Sequence, residues 1–563
     1  VGPSGGTGFI TRRRPGFVIF CDLLTAVPGD GILYWDAMNK VIAVSGGRVF
    51  DVKKDGTFEE LYSTPKTYAS ANNKGYLIEE KGIMEVSLLL TSNPSDRVSH
   101  KITITSEFYL SDSTFVVTGI DNNNELQKEP FAAGPNNGTV TGNLYFGKII
   151  SIVPTITTPD SFLGLVTGAT GAGPFTIISG QPPKGFACKF YASSSTNLSG
   201  ISITVVGKDI YDESQTEVIA AGPSSQSPIT GIKYFKSFAS ISISSTYGGS
   251  TADFGWKGGK DNFLYNGSFD FGWATDYLDP VSVSPDSNIP VTFADGQRQD
   301  SSPWLYLASG NLIFILDDMR LYRPVDLNVP NATHIAWMNS RFIANESGTN
   351  KWYFTDTNPA TGTIESDYWG STDNPVTAEA RGDKLSALFT AFQDIYVWGT
   401  EGLEIWQDDG VTPFSAIQGA FSEAGIEGPY AYGKIDNTVF ALCVIEGKRV
   451  IVRMEGRSPK IVSEPIARII SEFTTVSDAL CDIITVGGIA IALFSFPSAN
   501  QSWAYDYKND TWLRWGYYVP TTGDHDRFLG QRSCFAKTWN KHLIQSRVDG
   551  KIYRIDRNIF SDG

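Results

Sequence analysis

The chain has few residues of the kinds that do covalent or metal chemistry. It holds five cysteines and four histidines in 563 residues. The cysteines, Cys21, Cys188, Cys443, Cys481 and Cys534, show no CxxC spacing. An odd, scattered set argues against a disulfide framework and against a zinc site, and reads as single buried small hydrophobes. None of His100, His334, His525 and His542 has a Ser or Cys nearby in an elbow context. No apolar run approaches the ~18 residues that a membrane helix needs. Positive charge is also short. The formal net charge is −15, and a protein that grips nucleic-acid phosphates needs a basic surface. A surface that DNA slides past is not excluded.

What is present is glycine and aromatic side chains. There are 56 glycines, and aromatics make up 13% of the chain. That combination leans towards β structure with many turns. The stretch from Lys384 to Asp409 shows the pattern most clearly. Leu385–Phe389, Ile395–Trp398 and Leu403–Trp406 read as strands, and Thr400-Glu401-Gly402 reads as a turn. A lone meander of this size is marginal in water, so it needs others like it. Six more follow the same pattern. The first spans Gly31 to Val52. The others centre on Trp304–Ile315, His334–Phe354, Val439–Arg453, Ile489–Tyr505 and Lys541–Arg554. Spacings of roughly 40 to 50 residues are those of propeller blades. The expected fold is all-β: a β-propeller of about seven blade-like meanders, with six to eight possible. Ile466 to Ser471 is the best candidate for a helical turn.

Between the first meander and the rest, the composition shifts to Ser, Thr, Gly and Asn, and an internal repeat appears. Phe115–Asp121 parallels Ile203–Asp209, and Ala132-Ala133-Gly134-Pro135 recurs as Ala220-Ala221-Gly222-Pro223. Segments 115–152 and 203–241 therefore predict a pair of small β-sandwich-like domains, inserted in a blade loop as an outward contact module. The expected domains are 1–90 (N-terminal segment and first blade), 91–259 (insertion) and 260–563 (remaining blades). Gly164 to Pro174 reads as a loop or linker between the repeats.

Several motifs mimic chemistry without completing it. Gly168–Pro174 resembles a phosphate loop but lacks the closing Lys-Ser/Thr. Asp121-Asn122-Asn123-Asn124-Glu125, with Asp209 and Glu213 in the second copy, has calcium-loop character but lacks that motif's Gly and distant Glu. It reads as a hairpin tip. Neighbours in Asp524-His525-Asp526 point apart in an extended chain, so this reads as a polar loop. Asp506–Trp512 is similar to a sialidase Asp-box but has the wrong spacing and no Gly; it reads as a blade hairpin. Arg12-Arg13-Arg14 reads as a solvated or interface loop. No catalytic, cofactor or metal residues are expected. The chain opens at Val1-Gly2-Pro3-Ser4-Gly5-Gly6, a start that reads as trimmed and shows no signal-peptide pattern.

From Asn331 to Phe560 the chain resembles the packaged-DNA stabilisation, or tail nozzle (hub), proteins of short-tailed bacteriophages. The residues that carry the likeness include Lys351–Asp356, Ala378-Glu379-Ala380, Tyr396–Trp406 and Gly425–Tyr430. Asp436–Phe440, Ser495–Ala499 with Trp503–Asp506, and Arg13-Arg14-Pro15-Gly16-Phe17 add to it. The resemblance implies a non-enzymatic virion protein of the phage tail. It implies a homohexameric ring below the portal and adaptor proteins that continues the DNA channel and helps to retain the genome. It also implies a hold on the needle or plug and on the fibres or spikes, with double-stranded DNA passing transiently and without sequence-specific binding. Members often continue past the last blade. Glu401, Glu404, Asp408 and Asp409 are candidates for lining such a channel. The alternative is a carbohydrate-binding or carbohydrate-degrading propeller, tailspike- or lectin-like, which predicts carboxylates and aromatics gathered at one place.

Overall fold

The computed structural model describes residues 16–62, 72–73, 78–81, 88–92, 99–121, 123–156, 161–167, 181–225, 227–244, 251–256, 263–267, 269–277, 283–297, 301–326, 328–358, 363–371, 373–378, 382–410, 414–435, 437–486, 489–519 and 523–556. The arginine run 12–14, the glycine-rich residues 168–174 and Asn122 lie outside them. The chain forms two compact units, residues 1–64 with 281–563, and residues 65–280.

The first unit is a succession of antiparallel sheets. The first sheet runs Gly29–Trp35, Lys40–Ser45, Arg48–Val52 and Phe58–Glu60. The second begins with Thr292–Gln297 and Pro303–Ala308, and the third with Ile335–Met338 and Arg341–Asn345. Leu385–Ala391, Asp394–Gly399, Leu403–Gln407 and Ser415–Ala416 make the fourth. The fifth centres on Thr438–Ile445 and Lys448–Glu455, and the sixth opens with Leu480–Val486 and Ile489–Phe496. The seventh takes Gly530–Ala536, Lys541–Ser546 and Lys551–Asp556 from the end of the chain, and Gly16–Asp22 from its beginning. The last pairing is antiparallel, with Phe17 opposite Ile555 and Asp22 opposite Lys551.

Each sheet buries both faces, so its central strands are continuous apolar runs rather than alternations. Val41, Ile42, Ala43 and Val44 are all fully buried. Ile42 and Val44 pack on Leu305 and Leu307 of the second sheet. Val41 and Ala43, on the opposite face, pack on Leu543 and Ile552 of the seventh. Equivalent clusters join the second sheet to the third and the third to the fourth. Others join the fourth to the fifth, the fifth to the sixth and the sixth to the seventh. The succession therefore closes on itself. The one α-helix among the described residues, Ala467–Ser471, follows a 3-10 turn at Glu464–Ile466, where the sequence predicts a helical turn.

The second unit is wider than 91–259. Strand Ile78–Lys81 pairs with Phe263–Gly267, and Asn72–Asn73 pairs with Asp270–Tyr277. The strands that flank the repeat add to its sheets, so the expected boundaries fall inside this unit. Within it the two repeat copies share register. Thr114–Ile120 pairs with Leu126–Phe131 and with Lys148–Thr155, with a register shift at Thr118/Gly119. Ile203–Lys208 pairs in the same way with Ser214–Ile219 and Ser237–Ile243, with its shift at Val206/Gly207. Leu110 N–H donates to Pro135 O at 2.9 Å, and Leu198 N–H to Pro223 O at 2.8 Å, so the two Gly-Pro turns are held alike. Glu129 and Glu217 occupy matching buried sites, and a Cβ on Gly142 or Gly231 would collide with the respective carboxylate.

Candidate functional site: the cavity inside the ring

The four acidic residues singled out in the sequence do not form one cluster. They flank and occupy Leu403–Gln407, the third strand of the fourth sheet. Glu401 lies in the turn before this strand, while Asp408 and Asp409 follow it, roughly 20 Å away at a strand's rise per residue. Glu401 N–H donates to Asp383 Oδ2 at 2.6 Å. Glu404 Oε2 accepts from Trp406 Nε1 at 3.0 Å. Asp408 Oδ2 accepts from Asn339 Nδ2 at 2.9 Å.

The ligand-like motifs at Asp121, Asp209 and Asp506 serve their own hairpins, and Asp526, in the strand Asp524–Arg527 rather than a loop, ties its hairpin to two others. Asp121 Oδ1 accepts the N–H groups of Asn123 and Glu125 at 2.8 and 2.9 Å, and Asp209 Oδ1 those of Tyr211 and Glu213 at 2.9 Å each. Asp526 accepts from Asn500 at 2.8 Å and pairs with Arg547 at 3.3 Å, while His525 lies against the Tyr518 ring. Asp506 Oδ1 accepts from Lys508 N–H at 3.1 Å, capping its turn. Among the described residues no group of three or more His, Cys, Asp or Glu is arranged to hold a metal ion. Nor is any helix there long and apolar enough to cross a membrane.

The feature that sequence reading missed lies at the centre. The opening strands of the sheets converge on a cavity of about 400 Å³. Ile32, Phe293, Trp337, Phe389, Tyr432, Asp482 and Arg532 each come from a different sheet. One wall is a column of rings. Tyr396 stacks on Phe389 at 5.1 Å, and Phe389 on Tyr432 at 4.4 Å, with interplanar angles of 3° and 7°. His334 follows at 5.9 Å from Tyr432 and 4.9 Å from Tyr430. The Arg532 guanidinium ends the column, 5.6 Å over the Tyr430 ring.

Hydrogen bonds fix the state of His334. Its Nε2 lies 3.0 Å from Pro429 O, which can only accept, so Nε2 carries the proton. Its Nδ1 then accepts from Thr333 Oγ1 at 3.0 Å, and Thr333 Oγ1 in turn accepts from Asn345 Nδ2 at 3.0 Å. Burial lowers the His334 pKa to about 4, which keeps the ring neutral. Burial also raises Tyr430 to about 12. Asp482 accepts one hydrogen bond, from Ser533 N–H at 3.1 Å, and its pKa is raised to about 6. Loss of hydration is the main cause there, and the Arg532 charge and the Ser533 bond oppose it only in part. Arg532 Nε is buried with no hydrogen-bond partner. The sequence does carry one signal for this site. Asp482 stands inside the apolar strand Leu480–Val486, where a charge needs a reason.

Sheets packed face to face in a closed ring around such a cavity define a β-propeller. Residues 289–560, just under half of the chain, match the family model Phage_stabilise, described as "Bacteriophage P22 Gp10, beta-propeller". That stretch is similar to the propeller of a phage DNA-stabilisation protein, a virion protein. The ring extends beyond the matched stretch, since its first sheet and its closing strand lie at residues 16–60. No curated protein matches. Solved structures with some likeness include the extracellular domain of a one-component system from B. thetaiotaomicron (10% identity, TM-score 0.30, 48% of this chain and 33% of that one). An auxiliary nutrient binding protein from Bacteroides ovatus (9%, TM-score 0.24, 51% and 65%) is another. A third is SapL1 lectin in complex with alpha methyl fucoside (12%, TM-score 0.26, 46% and 89%). The chain thus spans about a third of the first of these and just under two thirds of the second, and at these TM-scores the likeness carries no argument.

Proposed function

We propose that the protein is the nozzle, or hub, of a short-tailed phage: a homohexameric ring below portal and adaptor. It continues the path of the ejected DNA, helps to retain the packaged genome, and anchors the needle or plug and the fibres or spikes. It does so without catalysis. The observation that carries this reading is the family match over residues 289–560.

The chain's charge suits a channel that must not hold DNA. Six copies at a formal −15 each carry about −90 charges. Every phosphate gripped by Lys or Arg releases counterions and adds affinity that salt weakens. An acidic lumen repels the duplex instead, over a Debye length of ~8 Å at physiological salt. Glu401, Glu404, Asp408 and Asp409 are proposed for that lining; their positions on both sides of the strand Leu403–Gln407 allow one end of it, not both, to face a narrow lumen.

Native mass measurement and negative-stain imaging of the purified protein test the assembly. Six-membered rings are expected, and a monomer at all concentrations with no density in virion tails overturns it. Fluorescence anisotropy with a DNA duplex at physiological salt tests the channel. Tight binding there refutes a slippery lumen.

A further inference from the structure

We propose that the central cavity of the propeller is a binding site for a carboxylate-bearing sugar ring, such as a hexuronic acid. The inference goes beyond the tail assembly and holds whether or not the ring oligomerises. It rests on three properties of the cavity. Its volume of about 400 Å³ falls within the ~300–1,000 Å³ of small-molecule sites. It offers a cation. Arg532 lines the cavity with its ring contact to Tyr430 on one face, and it makes no ion pair with Asp482. Its planar guanidinium matches a carboxylate bidentately.

The surrounding charges select among anions. Asp482 lies in the same lining, and Asp295 lines the cavity at an exposed position on the second sheet. A phosphate near two negative charges would meet this acid pair with only Arg532 to offset it. A single carboxylate brings half the charge of a phosphate and so meets less repulsion from the acid pair. The rest of the ligand is chosen by the walls. Phe293, Trp337 and Phe389 present flat apolar surface, suited to the C–H face of a pyranose. Asp482 accepts only the Ser533 N–H, so its carboxylate has room for hydrogen bonds from ligand hydroxyls. A flat aromatic acid would fill the space but leave that acceptor unmet.

The full-length protein, titrated with glucuronate and with glucose and followed by ligand-observed NMR, tests this without any variant. Glucuronate is expected to bind at least about tenfold more tightly than glucose. Arg532→Gln, checked for folding by circular dichroism, should lose that preference. Arg532→Lys should recover it only in part, because a point charge lacks the fork. Equal binding of the two sugars, or no binding of either, overturns the proposal. So does inorganic phosphate or benzoate binding more tightly than glucuronate, and so does a folded Arg532→Gln that keeps the preference.

Discussion

At the scale of single residues, the propeller tolerates buried charge only where geometry supplies a partner. Asp394 is held by both nitrogens of the Arg457 fork at 2.8 Å. Asp51 is held by Lys40 at 2.7 Å, with Lys53 beside it. Asp482 and Asp30 are exceptions, because Arg532 acts on each through space but makes no ion pair with either. The consequence is a pH-dependent penalty. The folded Asp482 carboxyl titrates near 6 and the unfolded one near 3.8. The folded chain therefore holds more protons between those values, and stability from this group is full below 3.8 and lost as pH rises through 6. Asp482→Asn keeps an acceptor for Ser533 N–H and removes the charge. It should stabilise the first unit by about 3 kcal/mol at pH 8, and by only about 1 kcal/mol near pH 4.5. His334 and His542 are both lowered to about 4 by burial. They work in the opposite sense, costing stability as pH falls from 6.5 towards 4. The wild-type profile thus mixes the two signs, and the comparison of variant with wild type isolates Asp482. Urea-unfolding midpoints at the two pH values decide it; a variant equally destabilised at both sinks the argument.

At the scale of elements, the second unit repeats a device as well as a fold. Glu217 accepts the N–H groups of Ile232 at 2.6 Å and Lys233 at 3.2 Å. Glu129 accepts those of Asn143 and Leu144, the latter at 3.3 Å. Each carboxylate thus caps a break where the strand stops pairing. Removing it leaves two backbone donors without an acceptor, at about 1–3 kcal/mol each. Glu129→Ala should release hydrogen exchange at residues 143–144 only, and Glu217→Ala at 232–233 only, each weakening its own copy by about 2 kcal/mol. Glu→Gln, which keeps one acceptor oxygen, should cost less. If either variant loosens both copies alike, the two are not independent units of one design. The same elements show what a sequence can disclose. The meanders are legible because two-faced burial writes itself as apolar runs such as Val439–Cys443, broken by tight turns such as Glu446-Gly447. The opening strands were harder to see. Thr292–Gln297 contains Asp295, Gly296 and Gln297, since a strand that lines a cavity needs no continuous apolar face. The cavity itself was illegible, because Asp482, Arg532 and Tyr432 meet only once separate sheets converge.

At the scale of the whole ring, the decisive element is the closing strand Gly16–Asp22. Nothing local in that strand discloses its partner, which lies at the opposite end of the sequence. Its pairing with Lys551–Asp556 turns a row of sheets into a circle. Without it, Lys551–Asp556 becomes an edge strand with unpaired backbone groups. Phe17, only 2% exposed, also carries the contact between the sixth and seventh sheets, with its ring 5.2 Å from Phe528 and 5.6 Å from Tyr553. Cys21 and Leu23 do the same between the seventh sheet and the first. Phe17→Ala should therefore cost about 3–5 kcal/mol, as large-to-small changes of aromatic core residues do. A closed ring spreads that loss, because every sheet leans on two neighbours. The first unit should still unfold in one transition, shifted to lower urea, with an unchanged dependence on denaturant. Deleting residues 1–22 should do more. It leaves Lys551–Asp556 as an unpaired edge and strips Phe17 and Cys21 from the packing on both faces of the seventh sheet, so hydrogen exchange should rise first in the first and seventh sheets and last in the fourth, farthest from the break. Protection lost evenly around the ring, or an undisturbed midpoint in Phe17→Ala, would show that the strand decorates the ring rather than closing it.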